Sequence, residues 1–544
     1  MAAAREAGMA AVTASRVAKS EVQFRKDTVK IFLRTGTPIA TIDDFRNYLE
    51  EYVEMGLTNT SNMRAFIPSL ELEELEHNKR WLAGNDISGC FDGASRLGEV
   101  EAFVARRVTD DLVIQSRLIG VQLFASALNA DKLARAILET LTVQYQHPLD
   151  SVIFLAHDRA AVNGAAVRKL APLYENLTDT DCIVHTLDNC GCQMQHKELT
   201  SFYSILTRMW SQSDNSLILF KRMFGFVPDT ESDTRWWSWY LLIASLVPVW
   251  HRLEEYLVAL QDDGVAAKSA KAALHVLRGG QVLVPAHGIV PASTRNEPAL
   301  ADIISLQAAV IRDFAHPFMA IGYFAEGDGP EMVYVYKKLL ELEVHMRAPY
   351  LPNLEALKRR NPAMDVTGVV SSIIDPARDY FRAKFGKIDT CSEGALSSQI
   401  KLYKLCAMLD PEQMAVMDVS VELLDEWPKA LKGIAKYPDL IPGLKSSLAA
   451  YKAACLELPG DFDLLRWWRL KKKDLPFWAQ LLRIVLLLAP SSAAVERVFS
   501  IMRRTFGKDQ DKALGDMIRT SLMLQYNYRN HSRGRAEDRR ASFL

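Results

Sequence analysis

Ser151-Val152-Ile153-Phe154-Leu155-Ala156-His157-Asp158 is a nearly unbroken apolar run that ends in an acid. Such a run reads as a strand buried on both faces, which belongs to a helix-covered sheet with parallel neighbours. It therefore decides for an α/β fold. Upstream, Ile87-Ser88-Gly89-Cys90-Phe91-Asp92 reads as a short strand that also ends in an acid. Glu101 to Thr109 and Leu112 to Phe124 are two further strand candidates, separated by turn-like Asp110-Asp111. Asn129 to Gln144 is helical, with Leu133, Ile137, Leu138 and Leu141 on one face. Downstream, a helix over Arg159 to Tyr174 leads to a last strand candidate, Asp181-Cys182-Ile183-Val184-His185.

The predicted order is β-β-β-α-β-α-β. Three consecutive strands form a meander, and helical crossovers attach the later ones. The first and fourth strands then lie side by side with their C-terminal ends together. That arrangement brings Asp92 next to Asp158. Two close carboxylates repel unless protonated or bridged by a cation, and oxygen-only ligands suit Mg2+ or Mn2+. Taken singly, each aspartate reads equally well as local structure: Asp92-Gly93 is a turn signal, and Asp158 could cap the next helix.

The 544 residues suffice for several cores, and a formal net charge of −1 excludes a general polyanion binder. Charge is uneven, though: from Asp461 onward there are 17 Lys and Arg against 9 Asp and Glu. That excess would attract phosphate backbones or be a solvated face. Seven cysteines without regular pairing suggest a reducing compartment. The most apolar run, Leu475 to Ala489, contains Arg483 and falls short of the ~20 residues a bilayer needs, so no membrane span is expected.

Residues 1–20 read as a disordered tail. Residues 21–82 read as an N-terminal helical domain broken at Gly36-Thr37-Pro38. No Cys-x-x-Cys followed by spaced histidines occurs, hence no zinc finger of that type. Cys182, His185, Cys190, Cys192 and His196 are metal-ligating types at close spacing, but their pattern matches no common finger and satisfied core residues are the simpler reading. Arg235-Trp236-Trp237-Ser238-Trp239-Tyr240 is an aromatic cluster, read as core or as a stacking platform for unpaired bases. Residues 241–465 are helical and poor in motifs. Arg466-Trp467-Trp468-Arg469 with Lys471-Lys472-Lys473 opens the last block, and an Arg-rich tail covers 531–544.

In that block, Pro490 stops the apolar run, and Ser491 or Ser492 is placed to cap a new helix. Val495, Val498, Phe499, Met502 and Phe506 recur there at helical spacing, with Glu496 in an early turn. Pro490-Ser491-Ser492-Ala493-Ala494-Val495-Glu496-Arg497-Val498-Phe499-Ser500, preceded by Leu475-Pro476-Phe477-Trp478, resembles the C-terminal dimerisation signature of hAT-superfamily DNA transposases. Other pieces follow in family order: Asp92, Asp158 with Asn163, Cys182-x-x-His185, Arg235-Trp236, and Leu409-Asp410-Pro411.

The resemblance implies a helix-rich RNase H-like core with a mixed sheet, interrupted by a large all-helical insertion. The core would take residues 83–240 and close through 466–530, with the insertion at 241–465. It implies that Asp92, Asp158 and Glu496 are the catalytic acids and bind two divalent metal ions, Mg2+ or Mn2+, for DNA cleavage and strand transfer. It implies that His185, Arg235 and Trp236 contact DNA, Trp236 by stacking on a flipped base. It further implies a homodimer or higher homo-oligomer, and a nuclear protein. Family members usually carry an N-terminal BED finger, absent here, and the first aspartate is often followed closely by Trp, where this chain has Gly93-Ala94-Ser95. These departures keep a second reading open: a domesticated, non-catalytic relative acting in dimerisation and DNA or chromatin binding.

Overall fold

The computed structural model describes residues 21–52, 56–95, 99–229, 236–278, 283–284, 288–289, 300–360, 362, 366–506 and 514–529. Within these the chain divides into two compact units. One holds residues 21–180, 431–442 and 468–529, the other 181–430 and 443–467.

The first unit is built on a five-stranded mixed sheet of order β3-β2-β1-β4-β5. Its strands are β1 (Ile87–Ser95), β2 (Glu99–Val108), β3 (Ile114–Phe124), β4 (Val152–His157) and β5 (Thr178–Asp181). The β1, β2 and β3 strands form an antiparallel meander, and β4 pairs with β1 in parallel, as the β-β-β-α-β order requires. All six residues of β4 are buried, consistent with its unbroken apolar sequence.

One face of the sheet contributes Ile87, Phe91, Phe103, Ala105 and Leu155 to a core closed by Leu133 and Ile137 of helix Ala130–Glu139 and by Ala166, Val167 and Leu170 of helix Ala161–Leu170. Side chains alternate along a strand, so Ser88, Cys90 and Asp92 point to the other face. There Ser88 Oγ donates to the Leu487 carbonyl, and helix Ala493–Thr505 packs on β1 and β2. Its buried stripe is Val495, Val498, Phe499 and Met502, the residues the 3.6-residue period picks out. Helix Gly515–Asn527 packs against β3 and against helices Glu21–Thr35 and Ile67–Leu82, so the N-terminal helices share this unit's core instead of standing as a domain of their own.

The second unit is helical around Leu300–Ala325, which packs against Ile183–Cys192, Lys197–Gln212, Trp236–Leu246, Glu331–Arg347 and Thr367–Phe385. Its boundary falls at 180/181 and not near 240, because the chain leaves the sheet directly after β5. The unit is not wholly helical: Leu283–Val284 pairs with Gly288–Ile289 in a short antiparallel ladder. No helix among the described residues is long and apolar enough to cross a membrane.

Candidate active site

Register builds the site. The last β1–β4 pair is Phe91 with His157, so Asp92 and Asp158 are the next residue on each of two adjacent parallel strands. β4 stops there, while β1 continues to Ser95 along β2, past the acid at which the sequence reading ended it. Gly93 is therefore a ladder residue opposite Glu101, not a turn. Because β4 ends first, Asp92 has no strand neighbour on that side, and the first turn of Ala161–Leu170 fills the space.

Asn163 comes from that turn and is buried. Its Nδ2 donates to Asp92 Oδ1 at 3.1 Å and also to Asp158 Oδ1. The Gly93 amide donates to Asp92 Oδ1 at 2.8 Å, and the Ala160 amide to Asp158 Oδ1 at 2.9 Å. Asp158 does not cap the helix, whose cap position falls on Ala160 without a side-chain cap bond; it accepts from the Ala160 amide before the helix and joins the pair. Behind it, His157 Nδ1 donates to the Asp158 carbonyl at 2.6 Å and Nε2 lies 3.3 Å from Asp179 Oδ2, which fixes the backbone next to the acid.

Glu496 is half-buried in the first turn of Ala493–Thr505, on the helix that covers the Asp92 face of the sheet. That helix starts at Ala493. Ser492 takes the cap position without a side-chain cap bond, and the Ser491 hydroxyl lies 3.5 Å from the Ala493 amide. Among the described residues, no three His, Cys, Asp or Glu side chains are gathered closely enough to hold one ion as they stand. What the fold gathers is the aspartate pair with its shared amide. The two carboxyls offer oxygen ligands alone, which suits a hard divalent cation such as Mg2+ or Mn2+.

His185 and Trp236 lie in the second unit. His185 is not on a strand: β5 ends at Asp181, and His185 belongs to helix Ile183–Cys192. Cys182 and Cys190 are buried and Cys192 is exposed, and burial pushes the Cys190 thiol well up, so its sulfur stays protonated and donates to the Thr186 carbonyl at 3.4 Å. Trp237, Trp239 and Tyr240 are core residues, with Trp239 stacked on Tyr203 at 5.4 Å and 17°. Trp236 opens helix Trp236–Leu246, and Arg235 lies outside the described residues. In the basic block, Trp467 and Trp468 are buried. Arg469 and Lys472 are engaged by Asp111, and Arg466 by Asp461.

Two features escaped the sequence reading. Glu101 is fully buried in β2, one strand away from the site. A charged residue inside Glu99-Val100-Glu101-Ala102-Phe103-Val104 was the signal for it. The second is the pair of hydrogen bonds from Asn163, since its place five residues after Asp158 puts it near one acid but does not reveal that it reaches the other.

A search of curated proteins finds no match to the chain. Residues 448–527 match the family model of the hAT family C-terminal dimerisation region.

Proposed function

We propose that this chain is a hAT-like DNA transposase whose first unit is an RNase H-like core of the DDE type. The observation that carries the reading is the register that sets Asp92 beside Asp158 in a chain that also carries a hAT dimerisation region. Asp92 and Asp158 would hold divalent cations from adjacent strand ends, and Glu496 would join them from the helix packed on β1 and β2. Two such ions, when bound, supply Lewis-acid stabilisation to the attacking and leaving oxygens of an in-line phosphoryl transfer. The protein's own part is to fix those carboxylates on rigid elements, with β1 anchored along β2 and β4 buried at every position. His185, Arg235 and Trp236 are assigned to DNA contact, the 448–527 region to homo-oligomer formation, and the nucleus is the expected compartment.

The test is nicking of supercoiled plasmid DNA by the full chain with Mg2+ or Mn2+. Wild type is expected to relax the plasmid, and Glu496→Gln to lose activity by at least about 10²-fold. A wild type that leaves DNA intact with either ion, or a Glu496→Gln variant as active as wild type, overturns the reading.

A further inference from the structure

Asn163 uses one neutral amide on two acids. The residue is 3% exposed, and Nδ2 reaches both Asp92 Oδ1 and Asp158 Oδ1. It does not serve as the cap of its own helix: Ala160 takes that position, and its carbonyl accepts from the Asn163 backbone amide at 3.0 Å. Two adjacent carboxylates need something positive between them, and here the amide hydrogens supply it. An amide nitrogen has two hydrogens, one for each acid.

We propose that Asn163 is a positioning residue that holds Asp92 and Asp158 together until a divalent cation takes over from its hydrogens between them. This rests on the reading of the two aspartates as ion ligands. A neutral amide suits the task because it stabilises the metal-free pair without adding a fixed charge that would oppose the cation. Alanine at this position removes the donors and lets the acids separate. Aspartate removes the donors and adds a third carboxylate, which raises repulsion without metal and attraction with it.

The experiment is thermal unfolding and Mn2+ titration calorimetry of the full chain as wild type, Asn163→Ala and Asn163→Asp, with unfolding measured in EDTA and in Mn2+. Both variants are expected to melt below wild type in EDTA, Asn163→Asp lowest. Mn2+ should then raise the melting temperature of Asn163→Asp by more than that of wild type. Asn163→Ala should bind Mn2+ roughly 10–100-fold more weakly than wild type, the range for loss of a group that orients metal ligands. An Asn163→Ala protein that melts with wild type in EDTA, or equal Mn2+ shifts in Asn163→Asp and wild type, overturns the inference. If Asn163→Asp folds only with Mn2+, the inference holds. If it folds in neither condition, Asn163→Ser decides: one hydroxyl donor predicts Mn2+ affinity between wild type and Asn163→Ala, and wild-type affinity overturns it. The expected order of Mn2+ affinities in a protein that cuts no DNA supports Asn163 and defeats the transposase reading. Loss of that order with nicking intact does the reverse.

Discussion

Glu101 is the residue whose environment departs furthest from its chemistry. It is fully buried, and neither side-chain oxygen has a hydrogen-bond partner among the described residues. Burial raises its pKa from the ordinary 4.5 to about 8. Between those two values the folded chain holds a proton that the unfolded chain has released, so stability falls as pH rises through that window. Glu101→Gln removes the titration. Urea unfolding should find the variant more stable than wild type by a few kcal/mol more at pH 8 than at pH 5, following ~1.4 kcal/mol per pKa unit. An equal difference at both pH values would show that the carboxyl is not held protonated. His147 acts in the opposite sense, because burial lowers its pKa to about 4 and its contribution is lost as pH falls from its ordinary 6.5. The difference between Glu101→Gln and wild type, not the wild-type curve, therefore isolates Glu101.

At the scale of elements, the segment around Lys432–Lys436 behaves as a strap across the strand entries of the first unit. Lys436 and the Tyr437 hydroxyl both bind Asp86, the residue before β1, and Lys436 also reaches Ser151, the residue before β4. The Lys432 amide donates to Thr178 Oγ1 on β5 at 3.0 Å. A Cβ added to Gly433 would stand 2.8 Å from the Ile153 Cβ, a branched atom in a buried strand with nowhere to move. Gly433→Ala should cost about 1–3 kcal/mol, the usual range for overpacking. Tyr437→Phe should cost about 1.5–3 kcal/mol, as for a bond to a charged group. Both are read from urea midpoints, and wild-type midpoints would mean that the strap contributes nothing to the sheet.

Across the whole molecule, much of the 448–527 region is interior. Trp478, Leu481, Val495, Leu522 and Tyr526 are fully buried within a single copy. Helix Gly515–Asn527 is stitched to distant parts of its unit. Asn527 Oδ1 accepts from the Leu118 amide at 2.7 Å, Ser521 Oγ donates to the Leu33 carbonyl at 3.0 Å, and Arg519 pairs with Glu71 at 2.7 Å. Ending the chain after Phe506 would therefore uncover Leu33, Leu70 and Leu118 as well as any oligomer surface. The expected result is loss of the cooperative thermal transition of the first unit, not a well-folded monomer. A truncated chain that melts as sharply as wild type would place the helix outside the core.

The sequence by itself determined the order of the first four strands, the adjacency of β1 and β4 and the buried stripe of the Glu496 helix. Each depends on local periodicity and on chain-crossing rules that hold wherever the pattern occurs. The meeting of Asp92 and Asp158 was legible for the same reason, since it needs only two parallel strands that end in acids. Only the tertiary structure decided that His185 is helical, because β5 takes Thr178–Asp181 instead and the helix from Ile183 buries Val184 and Leu187 against its packing partners. Only it decided that Asn163 reaches Asp92, 71 residues away, and that Lys436 and Tyr437 return to Asp86, 350 and 351 residues away. Those contacts join residues whose separation leaves no periodic trace, and their geometry exists only once the sheet and its helices have packed.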